Sequence, residues 1–163
     1  MSIFSRIRNI KTCEWVLLSL IFATVIFIFT QSALPPEIST AESDASAEII
    51  AEILPSDTVV GGFVFDNIRK IAHFIEFGIL GLELSIFVLL FAENKRKAVP
   101  KIFIFAFVVA FLDETIQILS GRVAAVSDVW LDMSGFLTFS LITFLVFLLT
   151  SKIATRIKKS REQ

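Results

Sequence analysis

A chain of 163 residues that is 55% hydrophobic, with a mean hydropathy of +0.81, has no room for a second domain of ordinary size and reads as a small integral membrane protein. Its formal net charge of -1, and basic residues that only flank apolar stretches, exclude a nucleic-acid binder. A single cysteine, Cys13, excludes an internal disulfide, a CxxC redox pair and a multi-cysteine zinc site.

Residues 16–30, 71–91, 102–119 and 130–150 form four apolar runs. Each is long enough to cross, or nearly cross, a hydrocarbon layer of about 30 Å at about 1.5 Å per helical residue. The expected fold is all-α and polytopic: one domain over residues 1–163, with transmembrane helices at 15–31, 69–92, 100–119 and 129–150. The first run follows Arg6, Arg8 and Lys11, as in a secretory signal. Trp15 to Pro36 is uncharged, and Gln31 ahead of Ala33 makes a poor cleavage site, so a retained signal-anchor helix is expected.

Positive residues in short loops mark the cytoplasmic side. They occur in the N-terminal tail, in the second connection (Lys95, Arg96, Lys97, Lys101) and in the C-terminal tail (Lys152, Arg156, Lys158, Lys159, Arg161). Four crossings place all three inside. The first connection, residues 31–70, then lies outside and is acidic, with Glu37, Glu42, Asp44, Glu48, Glu52, Asp57 and Asp66. Ser39 with Glu42 resembles a capping box. Ala45, Ile49, Ile50, Ile53 and Leu54 then follow helical spacing opposite Asp44, Glu48 and Glu52, and Pro55 should stop the helix. The expectation is a short amphipathic helix in the first outer loop; a solvated linker is the alternative, since so short a helix is marginal without packing. Gly61-Gly62 reads as a flexible turn. The third connection, residues 120–129, is outside and broken by Ser120-Gly121.

Charge inside a membrane is costly and points to function. The second run opens with Arg69 and Lys70, then His73 and Glu76, i,i+3 neighbours whose side chains can meet. The third ends on Asp113 and Glu114, with Gln117 stacked one turn beyond Asp113; Arg122, Asp128 and Asp132 follow. By the topology above, all lie in or near the outer leaflet. Lys70 and Arg122 run against the preference for positive charge inside, so local partners are expected for both. Ions that merely hold helices in register compete with an outward polar pocket that binds a headgroup, a peptide or a proton.

His-x-x-Glu spacing is that of carboxylate-bridged helical metal sites, but those need a second histidine, and His73 is alone. Magnesium or calcium on Glu76, Asp113 and Glu114 has no specific signal, so neither a metal nor a cofactor is assigned. No nucleophile elbow or phosphate-cradling loop occurs, and no catalytic residue is assigned. Glu83, deeper on the Glu76 face, reads as a carboxyl bonded to a neighbouring helix rather than part of a proton path.

Lys70-x-x-His73-Phe74-x-Glu76-Phe77, Asp113-Glu114-x-x-Gln117, Gly121-Arg122 with Asp128, and the Thr30-Gln31-Ser32 exit from the first helix together resemble the VanZ-like membrane proteins. Phe77 departs from that pattern where Tyr is frequent, and Asp132 where Asn is expected, which adds negative charge to the fourth helix. The resemblance implies a bacterial cytoplasmic membrane protein acting at the outer face, where teicoplanin, a lipoglycopeptide, meets peptidoglycan precursors. It implies membrane lipids, and a lipid-linked envelope precursor or a lipophilic glycopeptide, as partners. The candidate binding residues are His73, Glu76, Asp113, Glu114, Gln117, Arg122 and Asp128, with Lys70 as an anion contact. A lipid-headgroup enzyme using His73 and a carboxylate, and a structural partner of envelope machinery, are the alternatives.

Overall fold

A computed structural model describes residues 3–52, 54, 58–122 and 125–161 of the chain, which form helices and no strand. In order these are α1 (Ile3–Ser32), α2 (Pro36–Ala51), α3 (Val59–Asp66), α4 (Ile68–Phe91), α5 (Lys95–Leu119) and α6 (Val126–Arg161). Four segments, Lys11–Ser32, Ile68–Phe91, Lys95–Leu119 and Val126–Ile157, are long and apolar enough to cross a membrane. The protein is therefore an all-α polytopic membrane protein. Phe22, Phe27, Phe103, Phe107 and Phe111 are exposed on the outer surface, as suits contact with lipid.

Helix α4 is the hub, in contact with every other helix, and its longest seam is with α6. That seam is close because glycine lines it. A Cβ on Gly81 would run into the backbone carbonyl of Phe136, and one on Gly135 into that of Phe74. Ser140 Oγ donates to the Gly81 carbonyl across the seam at 3.2 Å. Membrane helices associate through such small-residue contacts, since lipid offers no hydrophobic drive between apolar surfaces. Phe77, Leu80, Leu84, Met133 and Phe136 fill the core beside it, with Ala106, Val109 and Ala110 of α5 and Ile21 and Ile28 of α1.

Several boundaries differ from the sequence expectation. Helix α5 begins at Lys95 because Asn94 caps it, its side chain accepting from Lys97 N at 3.2 Å. The basic cluster there is a helix start rather than a loop. In the first connection, helix α2 starts at Pro36, which suits a first turn where its missing N–H has no partner to lose. Ser39 is thus inside the helix and buried, not a cap, so the expected capping box does not form. The face of α2 turned to the bundle carries Ser39, Ser43 and Ser46, while Ile38 and Ile49 are exposed. Pro55, the expected stop, lies outside the described residues; α2 ends before it. Gly61-Gly62 is not a turn but part of α3, nucleated by Thr58, whose hydroxyl accepts from Gly61 N at 3.0 Å.

Candidate functional site

The C-terminal ends of α1 and α5 and the N-terminal ends of α4 and α6 meet at one end of the bundle, and the expected polar residues are there. The turn after α5 shows how the sequence builds this end. Gly121 takes φ +80, a conformation open to glycine at little cost. Gly121 N then donates to the Ile118 carbonyl at 3.1 Å and Arg122 N to the Gln117 carbonyl at 3.0 Å, a Schellman cap. The cap folds Arg122 back over the bundle, where it is buried. Arg122 Nη1 donates to the Gln31 carbonyl at 3.2 Å, and Ser120 Oγ to the Ser32 carbonyl at 3.1 Å. Both satisfy orphan carbonyls at the end of α1, and a cation there also suits the helix dipole. Arg122 thus finds its partner in backbone rather than in an acid. Lys70, expected to be paired as well, is exposed at the rim and makes no ion pair among the described residues.

At the centre stands His73. Its Nδ1 lies 3.7 Å from Glu76 Oε2, 3.7 Å from Asp113 Oδ2 and 4.0 Å from Asp132 Oδ1. Asp113 is fully buried and held from two sides: Ser32 Oγ on α1 donates to its Oδ1, and Gln117 Nε2 to its Oδ2 at 2.8 Å. Arg69 Nη2 in turn approaches Gln117 Oε1 at 3.4 Å. Glu114 is buried on the same side of α5, and Asp128 is half-buried at the start of α6. Deeper along α4, Glu83 accepts from Thr24 Oγ1 of α1 at 3.1 Å, the interhelical bond expected of it.

The sequence reading passed over Arg69, Ser32 and Asp132 as site residues. Arg69, His73 and Glu76 follow i, i+4, i+7 spacing, and that signal would have chosen Arg69 over Lys70 for the buried face. Asp128 and Asp132 likewise share a face of α6. Ser32 carried no local signal.

Three spaces surround these groups. A polar cavity of about 390 Å³ is lined by Arg69, Lys70 and His73, by Glu114 and Gln117, by Asp128 and Asp132, and by Ser39, Ser43 and Asp44 of α2. A smaller one of about 160 Å³ is lined by Gln31, His73, Glu76 and Arg122, with the serine face of α2 along one side. An apolar groove of about 270 Å³ lies between α1 and α4, lined by Leu20, Ala23, Phe27 and Ile79, with Glu76 as its charged member.

Fold and site together define a polytopic helical membrane protein with a charged cavity at one end of its bundle. The sequence matches the VanZ/LLP1 family over residues 15–148, and the chain belongs to that family. No curated protein and no solved structure matches the chain.

Proposed function

We propose that this protein works in a bacterial cytoplasmic membrane with both termini inside, and that its cavity receives the headgroup of a lipid-linked envelope component at the outer leaflet. Occupying that component, or screening it, would lower susceptibility to lipoglycopeptides such as teicoplanin. The observation that carries the reading is the continuity of polar and apolar space at Glu76, which lines both the smaller polar cavity and the apolar groove. An amphiphile needs that pairing: room for a polar group, and beside it a trough for an acyl or prenyl chain. Arg69 and Lys70 at the larger cavity supply donors for an anionic headgroup. The basic residues at the other end of the bundle, Lys95, Arg96 and Lys97 on α5 and Lys152 and Arg156 on α6, support the orientation.

Overexpression in a susceptible Gram-positive host tests it. Teicoplanin carries an acyl chain and partitions to the membrane; vancomycin lacks that anchor. Protection is expected against teicoplanin more than vancomycin, and is expected to vanish in His73→Ala and Asp113→Ala at normal membrane levels. Equal protection by these variants would move the function elsewhere in the molecule. A second reading is favoured by one geometry, His73 within 3.7 Å of two carboxylates, as acid–base chemistry on a lipid headgroup requires. Turnover of a lipid substrate by purified protein, lost in His73→Ala, would select it.

A further inference from the structure

The charges at the site do not balance, and the bases near it are committed elsewhere. Arg122 is bonded to the Gln31 carbonyl, Arg69 to Gln117, and Lys70 sits at the exposed rim. Around His73 stand Glu76, Asp113 and Asp132, carboxyl groups from three helices that no lysine or arginine ion-pairs among the described residues. Where such groups ionise together they repel, and a proton or a cation held between them relieves the repulsion.

We propose that His73, Asp113 and Asp132 bind a divalent transition-metal ion, Zn²⁺ or Mn²⁺, with Glu76 completing the donor set. The ligand atoms of His73, Asp113 and Asp132 all lie within 4.8 Å of one another. Ligand atoms about 2.0–2.2 Å from an ion stand roughly 3–4 Å apart, so a small inward movement completes the shell. The spacings of 3.7 and 4.0 Å are too long for hydrogen bonds, so these groups do not satisfy each other. His73 Nδ1, Glu76 Oε2 and Asp132 Oδ2 are buried with no hydrogen-bond partner among the described residues. Asp132 is 1% exposed, its side chain enclosed at the edge of the larger cavity.

The surroundings of Asp113 fit the same role. Ser32 and Gln117 hold its carboxylate in one orientation, and Oδ2, which accepts one bond from Gln117, keeps a lone pair for an ion. Donors such as Ser32 and Gln117 are the usual outer support of a ligating carboxylate. The imidazole nitrogen suits zinc and the carboxylate oxygens suit manganese, whereas magnesium and calcium prefer all-oxygen shells. Sequence spacing hides the site, because its donors come from three helices and only His73 and Glu76 are local neighbours. The inference stands apart from the headgroup reading: a protein that binds the ion yet leaves teicoplanin susceptibility unchanged would keep the first and lose the second.

The test uses full-length protein in detergent, stripped with a chelator and dialysed against Zn²⁺ or Mn²⁺, with bound metal counted by mass spectrometry. About one ion per chain is expected, retained in Glu83→Gln and weakened at least 10-fold in His73→Ala and Asp132→Asn. Zn²⁺ or Mn²⁺ should also raise the thermal midpoint of the wild type and of Glu83→Gln, but not of Asp132→Asn. The wild type decides by itself if a site variant fails to fold: less than half an ion per chain overturns the proposal. So does full binding by both site variants, or binding of Mg²⁺ or Ca²⁺ in preference to Zn²⁺ and Mn²⁺.

Discussion

Helices α4 and α6 meet twice, and the two halves of their seam face opposite problems. In the deeper half, Gly81 lets the two backbones approach and Ser140 bonds across to its carbonyl. Toward the site end, the backbones still touch at Gly135, but side chains crowd buried acids around His73. The deep half stabilises the pair. The site half carries charge that stability does not require, since buried ions are often neutral or worse for folding. Paying for that charge with a tightly packed seam lets one helix pair serve both as scaffold and as site.

Substitutions separate the halves. The largest effect is expected for Gly135→Ala, whose Cβ would meet the Phe74 carbonyl, a backbone atom that cannot rotate aside. A loss of roughly 1–3 kcal/mol, at the upper end, should appear in thermal or SDS denaturation of the detergent-solubilised protein. An unchanged midpoint would mean that the seam is looser than described. Gly121→Ala comes next. Nothing surrounds a Cβ there, so its cost is the left-handed φ alone, about 1–2 kcal/mol. The same denaturation series reads it, and a loss above 3 kcal/mol would mean that Arg122 does more than cap α1.

Asp132→Asn should move the other way. Measured in chelator, it is expected to raise stability by about 1 kcal/mol, because it replaces a buried ionisable carboxyl beside Glu76 and Asp113 with a neutral amide. Destabilisation in chelator would make Asp132 a cohesive residue and erase the contrast between the halves. The smallest effect is that of Ser140→Ala, which removes one interhelical hydrogen bond to the Gly81 carbonyl. A loss of about 0.6 kcal/mol is typical of such bonds in membranes, and denaturation of the paired variants should resolve it from Gly135→Ala.

The sequence was informative wherever the physics was local. Four apolar runs announced the spans, and the i,i+3 and i,i+4 pairs His73–Glu76 and Asp113–Gln117 meet as their spacing implies. What it concealed depends on how helices rotate against one another. Lys70 and Arg69 are equally basic in the sequence, yet only Arg69 turns toward Gln117. Ser32 reaches Asp113 from 81 positions away, a distance that no local pattern spans. Helix α2 misleads for a different reason. Apolar periodicity is normally read as the buried face, but the cavity beneath α2 is polar and Ser39 is buried against it, while Ile38 and Ile49 are exposed. In a membrane protein with a polar interior the usual rule is inverted. Gly61-Gly62 was read from propensity alone, which the Thr58 cap and the apolar residues around it override.

The proposal at the centre is that the charged end of the bundle faces outward while the basic end faces the cytoplasm. Thiol labelling in intact cells tests it most directly, in a Cys13→Ser background with a membrane-impermeant reagent. Lys70→Cys at the cavity rim is expected to react, and Lys97→Cys at the start of α5 to react only after the cells are opened. Labelling of Lys97→Cys in intact cells, with Lys70→Cys protected, would turn the site toward the cytoplasm and contradict the account.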